Sequence, residues 1–336
     1  PRSSDARARR QAQEYVNGVT RQERWLNHII DSSYTGSREL DPRVRTILQI
    51  GLYDMLFLST PDYAAINETV DLVEHIVHKN VTGIVNAILR RIQRECPPLP
   101  ATGDSARDLA IKNSHPDWMV RRWIERYGVV ETEALLEQNN VRPRHSVRVN
   151  RLRTSRAEIV VELSALGIET DPANFSDNFL YCMSLQDVLA SEQFRGGMLT
   201  VQDESAGLVV EAIDPQAVQT IIDLCSAPGG KTTYMLERLK GEGRVFAIDK
   251  AESRLDLVRD SVKRLGLTGV EYHALDATEE EALQHLPDAD IVLLDAPCSG
   301  LGVLSKRADM RWRRTEKQIR DMVKLQDLLM DSAADK

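Results

Sequence analysis

The sequence predicts three folded parts in tandem: an all-α domain, a small α+β module and a Rossmann-like α/β domain with a parallel sheet. Three observations carry that expectation. Up to about residue 95, apolar residues recur at steps of three and four, with no alternating pattern. Beyond residue 200, short apolar runs alternate with helical stretches in a βαβ rhythm. Three consecutive runs there are followed by an aspartate, at the strand ends where open α/β sheets bind ligands.

The elements follow in order. Val44, Ile47, Leu48, Leu52, Met55 and Leu56 mark one helix face, and Ile66, Val70, Val73 and Val77 another. Ile84, Ile88 and Ile92 mark a third, so residues 1–96 read as a helix bundle. Pro97, Pro98 and Pro100, followed by Gly103, stop helices and begin a connecting region over 97–144 with helices at Asp117–Tyr127 and Glu131–Gln138. Residues 145–200 form the small module, with a strand at Val147–Val149 and a helix over Ser155–Leu166 closed by Gly167. In 201–336 the strands are Thr220–Leu224, Val245–Asp249, Val270–His273 and Ile291–Asp295. Helices Thr232–Leu239 and Glu252–Leu265 alternate with them, and another runs from Ile319 to about Ala333.

Bulk properties exclude several classes. The 336 residues are 42% hydrophobic and 28% charged, ordinary for a globular chain. No apolar run reaches the length of a membrane span, and the start has no signal-peptide core, so a cytoplasmic protein without membrane attachment is expected. The first residue is proline rather than methionine, which reads as a trimmed chain. Four widely spaced cysteines form no Cys-x-x-Cys pair, which argues against zinc and disulfides and suits a reducing compartment. His75 and His78, one helical turn apart with no third ligand, read as a solvated face rather than a metal site.

The net charge of −8 looks wrong for a nucleic-acid binder, but it is unevenly spread. Residues 1–150 carry +2 and residues 151–336 carry −10. Six arginines between Arg142 and Arg156 (Arg142, Arg144, Arg148, Arg151, Arg153, Arg156) have no acid among them. A second basic cluster holds Lys306, Arg307, Arg311, Arg313, Arg314, Lys317 and Arg320. Phosphate contacts need local positive charge, so Arg142, Arg144, Arg148, Arg151, Arg311 and Arg313 are expected to touch RNA. The competing reading is two solvated basic faces. Trp312 would either stack on a base or pack in a core.

The turn Cys225-Ser226-Ala227-Pro228-Gly229-Gly230-Lys231 joins a strand to a helix. A phosphate loop would need glycine where Cys225 stands, and Gly-x-Gly-x-x-Gly is absent. S-adenosylmethionine has no phosphate, needs a close backbone turn, and needs an acid for its ribose hydroxyls. Asp249, ending the next strand, is placed for that role. Asp276 would accept from the adenine amino group, and Asp295 would lie by the methionine amino group and the target base. Each acid could instead be a turn former or a helix cap.

These segments resemble a known family. Asp223 to Thr232, Asp295-Ala296-Pro297-Cys298-Ser299-Gly300 and Val201 to Ala206 are similar to motifs of RNA cytosine-5 methyltransferases of the RsmB/Sun (Fmu) type. Ala65 to Val70 and Gly83 to Arg90 resemble the NusB family of RNA-binding helical domains, which precede the catalytic part in such enzymes. The resemblance implies that positions 225–231 with Asp249, Asp276 and Asp295 bind S-adenosyl-L-methionine. It implies methylation of carbon 5 of a cytidine in 16S ribosomal RNA. A monomer with no metal is expected. A tRNA or another ribosomal position, or a non-catalytic RNA-binding assembly factor, stays open as an alternative.

Carbon 5 of cytosine needs a thiolate at carbon 6 before it can take a methyl group. Asp295 could stabilise the charge that develops, and Lys231 either joins it as a catalytic residue, with its ammonium by Asp295 and the cytosine, or is an ion-paired or solvated lysine. On chemistry alone Cys298 would attack. The resemblance instead implies that the attacking cysteine lies in a Thr-Cys pair on the next strand, past Lys336, and that Cys298 assists product release. The resemblance also implies that the 291–294 strand ends the visible sheet as an edge and that the chain is a fragment. Cys225, Cys96 and Cys182 read as packing residues.

Overall fold

The computed structural model describes residues 6–95 and 97–336. Cys96, read above as a packing residue, and residues 1–5 lie outside them. The chain divides into two compact units: Pro1–Pro143 with Gly300–Glu316, and Arg144–Ser299 with Lys317–Lys336.

The first unit is helical. Helices α1 (Ala6–Ser33), α2 (Pro42–Phe57), α3 (Asp62–Ile76) and α4 (Thr82–Arg94) bury the apolar stripes read from the sequence, with Leu26, Ile30, Leu48, Leu52, Ile66 and Leu89 fully enclosed. Asp41 caps α2 through the Arg43 amide, with Pro42 where its missing N–H costs nothing. Helices α5 (Ser105–Lys112), α6 (Asp117–Tyr127) and α7 (Val129–Asn140) form a second core of Ala110, Met119, Val120, Trp123 and Leu136. Leu304 and Met310, from the later segment of this unit, complete it.

The second unit opens with the small module. Strand β1 (His145–Val149) leads to α8 (Arg156–Ala165), whose Ser155 and Glu158 form a reciprocal capping box. Strands β2 (Thr170–Pro172) and β3 (Phe179–Cys182), helices α9 (Leu185–Ala190) and α10 (Glu192–Arg195), and β4 (Leu199–Val201) follow. The four strands form one antiparallel sheet in the order β2-β3-β1-β4. The short strands β2, β3 and β4 escaped the sequence reading because each has only three or four residues.

After α11 (Glu204–Ile213) comes the parallel sheet: β5 (Thr220–Asp223), α12 (Gly230–Leu239), β6 (Arg244–Asp249), α13 (Glu252–Leu265), β7 (Val270–Ala274) and β8 (Ile291–Leu293). The order is β7-β6-β5-β8, every pairing parallel, with β8 at an edge among the described residues. The first three strands step one way across the sheet, and β8 is then laid on the other side of β5. Outside the carboxyl ends of β5 and β8 lies the switch point at which doubly wound sheets bind ligands. Past β8, α14 (Met310–Arg313) belongs to the helical unit, and α15 (Glu316–Ala334) covers one sheet face with Leu325 and Leu329. No described helix is long and apolar enough to cross a membrane.

Candidate cofactor and catalytic site

A cavity of about 190 Å³ opens at the switch point. The turn after β5 lines it with Cys225, Ser226, Ala227, Pro228, Gly230 and Lys231, the β8 side supplies Asp295, and Val201, Gln202 and Ala206 complete it. Gly229 has φ +99°, and a Cβ there would meet Val258 at 3.1 Å, so only glycine turns the chain this tightly against α13. The N-terminus of α12 has no side-chain cap, so its first N–H groups are left for a ligand.

The acids stand in a row along the carboxyl edge. Asp249 is 3% exposed, accepts from the Ala251 amide at 3.1 Å, and has an Arg254 nitrogen 2.8 Å from Oδ2. No donor among the described residues is aligned on that Oδ2. Asp276 accepts from the Thr278 amide and hydroxyl, and Lys250 beside it holds its carboxyl below the usual range. Asp295 is ion-paired with Lys231. Asp223, at the end of β5, accepts from the Thr232 hydroxyl at 2.7 Å, and burial pushes its carboxyl up to about 7. Sequence reasoning did not single out Asp223, although its place at a strand end was the available signal.

Three residues lining this cavity each have a buried polar atom without a partner among the described residues: Gln202 Nε2, Asp223 Oδ1 and Ser226 Oγ. Orphaned buried polar groups are rare and call for a ligand or water. A donor, an acceptor and a hydroxyl fit the mixed ammonium and carboxylate of an amino-acid moiety; Asp249 and Asp276 do not line this cavity but stand at the ends of the neighbouring strands, where carboxylates fit a ribose and an adenine.

The cysteines separate. Cys298 is exposed and does not line the cavity; the adjacent Pro297 carbonyl accepts from Gln326 of α15 at 2.8 Å. Cys225 packs against the core beneath the sheet, and burial pushes its thiol up to about 11. Cys182 is buried, as its packing role requires.

Two of the expected RNA contacts are corrected by burial. Arg148 is 0% exposed and forms a bidentate ion pair with Glu237, at 2.7 and 3.2 Å. Arg311 is also 0% exposed and donates to the Arg21, Ser114 and Asn139 carbonyls and to Asn140 Oδ1. Neither can reach a phosphate. Trp312 is half-buried and donates to the Thr20 carbonyl at 2.7 Å. Arg142, Arg144, Arg151 and Arg313 are exposed; Arg142 pairs with Glu14, Arg313 with Asp309, and Arg144 lies over the Tyr181 ring. His75 and His78 bond only to nearby backbone, and no cluster of metal-ligating side chains occurs among the described residues.

A Rossmann-like sheet with a close glycine turn at its switch point and acids along its carboxyl edge is the architecture of a domain that binds a nucleoside-containing cofactor. Residues 210–336 match the family model described as 16S rRNA methyltransferase RsmB/F, residues 2–94 the NusB family, and residues 115–188 the ferredoxin-like domain of RsmF/B-like methyltransferases. The probable ribosomal RNA small subunit methyltransferase B of Bacillus subtilis (strain 168) is 32% identical over 303 residues, spanning 90% of this chain and 68% of that protein. Its counterpart from Synechocystis sp. is 35% identical over 332 residues, spanning 97% of this chain and 74% of the relative. The crystal structure of PH0851 superposes with a TM-score of 0.76 at 28% identity, covering 99% of this chain and 75% of that one. The chain belongs to the RsmB/F methyltransferase family, with a NusB-type helical domain, a ferredoxin-like module and a methyltransferase domain. Its cofactor is S-adenosylmethionine.

Proposed function

We propose that this chain carries the cofactor-binding and base-handling parts of an enzyme that methylates carbon 5 of a cytidine in small-subunit ribosomal RNA. The relatives named above are small-subunit ribosomal RNA methyltransferases, which supports the RNA substrate. The observation that carries the chemistry is the Lys231–Asp295 ion pair at the cavity, three residues before Cys298.

S-adenosylmethionine supplies the methyl group when bound. Residues 225–231 cradle it, Asp249 accepts from the ribose, and Asp276 accepts from the adenine amino group. Lys231 holds the Asp295 carboxylate where it can stabilise charge developing at N3 of the pyrimidine. A cysteine thiolate adds to carbon 6, which makes carbon 5 nucleophilic. Once carbon 5 carries the methyl group and S-adenosylhomocysteine is left as the other product, a base would take the carbon-5 proton, the electron pair would restore the 5,6 double bond as the carbon–sulfur bond breaks, and Cys298 would assist that release. The resemblance puts the attacking thiol in a Thr-Cys pair, and this sequence contains no such pair. The base must be unstacked or lie in a loop to enter the cavity. Arg142, Arg144, Arg151 and Arg313 of the two basic clusters hold the RNA by its phosphates.

The test uses protein expressed from the natural gene, unmodified 16S rRNA and methyl-labelled S-adenosylmethionine. Label appearing as 5-methylcytidine, and lost in Asp295→Ala, is the expected result. Label in another nucleoside, or only in tRNA, overturns the proposal.

A further inference from the structure

Gln202 has no role in the reading above, and its surroundings give it one. The residue connects β4 to α11 and is 6% exposed. Its main chain is fixed, because the Ser146 hydroxyl donates to its carbonyl at 2.8 Å. Its side-chain oxygen accepts from Nη1 of Arg148. Arginine has five N–H donors and no acceptor, so the carboxamide can present only its oxygen to that side. The nitrogen must then face the other way.

Arg148 is itself held without slack. Its Nε and Nη2 donate to the two oxygens of Glu237, Nη2 also to the Thr233 hydroxyl at 3.2 Å, and the second Nη1 bond goes to the Gly230 carbonyl at 3.0 Å. The guanidinium also lies over the Tyr234 ring at 4.4 Å. One buried arginine thus orients the first residue of α12 and the Gln202 carboxamide together.

Gln202 lines the cavity, and its Nε2 has no partner among the described residues. A Cβ built on Gly230 would lie 3.6 Å from it, so this donor stands beside the uncapped N-terminus of α12. Helix N-termini favour carboxylates and phosphates, and the cofactor brings a carboxylate but no phosphate.

We infer that Gln202 is a cofactor-binding residue whose Nε2 donates to the α-carboxylate of S-adenosylmethionine, alongside the first amides of α12, and that Arg148 is the positioning residue that aims it. The inference concerns the cofactor site and does not depend on which RNA base is methylated.

The experiment is calorimetric titration of the full chain with two probes: S-adenosylhomocysteine, and its decarboxylated analogue, which keeps the amine. Gln202→Glu keeps an acceptor for Arg148 but has no donor and faces the carboxylate with a like charge. Its S-adenosylhomocysteine affinity is expected to fall about ten- to a hundredfold, the range for a hydrogen bond to a charged group. Its affinity for the decarboxylated analogue, and its thermal midpoint, stay within twofold and a degree or two of wild type. Gln202→Ala, which lacks the like charge, shows the same preference at smaller amplitude. Unchanged S-adenosylhomocysteine affinity in Gln202→Glu overturns the inference, as does an equal loss for both probes.

Discussion

Arg148 and Arg311 invite comparison because the sequence presents them alike and the fold uses them differently. Each lies in a basic cluster, and each is completely buried in its own unit. Arg148 meets a carboxylate, Glu237, and all its donors are used. Arg311 meets only carbonyl oxygens, leaves Nε without a partner, and burial pushes its guanidinium down to about 9. A buried charge can therefore be tolerated in two ways: neutralised by an opposite charge, or solvated by backbone. The first arrangement breaks more severely when one member is removed.

The sharpest way to break the comparison is Glu237→Ala, which strands the Arg148 charge. A loss of about 3–5 kcal/mol in denaturant-monitored unfolding of the second unit is expected. The double variant Arg148→Met, Glu237→Leu recovers most of that stability, because an apolar pair of similar volume is no worse than the ion pair. It does not recover S-adenosylhomocysteine binding, because Gln202 and Gly230 lose their anchor. A double variant as unstable as the single one would count against this reading.

Next in size is Arg311→Met, which leaves four acceptors without a donor but removes a buried, unpaired charge. A loss of about 1–3 kcal/mol is expected for the helical unit. A loss matching Glu237→Ala would erase the distinction.

A pH series sharpens the contrast between the units. In the helical unit, burial and the nearby Arg311 push His115 down to about 3. Its unfolded form binds the proton more readily, so that stability is full above about 6.5 and falls as pH drops below it. In the second unit Asp223 is pushed up to about 7, so its contribution is full below about 4 and is lost as pH rises through 7. Mild acid should weaken the helical unit while easing the strain on Asp223. Asp223→Asn, which keeps an acceptor for Thr232, should flatten the second unit's profile between pH 5 and 8. Circular dichroism for the helices and fluorescence of a probe on the second unit would follow the two. Profiles of the same sign would contradict the assignments.

The smallest effect is at the surface. Arg151→Ala should change stability by less than about 0.5 kcal/mol. It should weaken RNA binding across sequences and reduce the salt slope by about one. An unchanged slope would remove Arg151 from the RNA face.

The helices and the parallel strands were legible because burial writes a period into the chain. Ile47, Leu48 and Leu52 recur as a helix face requires, and the runs at 220, 245, 270 and 291 lie where β5 to β8 form. The glycine turn at the cavity was legible because its glycines and the acids after it are local in sequence. Arg148 and Arg311 were misread because their partners are distant: Glu237 lies 89 residues from Arg148, and Arg21 lies 290 from Arg311. A cluster of positive charge looks the same from the sequence whether it faces a phosphate or a buried carboxylate. One signal was available for Arg148, which sits between Val147 and Val149 in a strand with both faces buried. Gln202 lies in the Val201 to Ala206 segment that resembles a family motif, but its own role was not legible, since a neutral amide acquires a role only from what orients it.

The central claim is that the cavity at the β5–β8 switch point holds S-adenosylmethionine. The most direct measurement is calorimetric titration of S-adenosylhomocysteine into this 336-residue chain and into Asp249→Ala. Saturable one-to-one binding, weakened at least tenfold by the substitution, is the result predicted here. No binding to the wild-type chain, or equal binding to the variant, would contradict it.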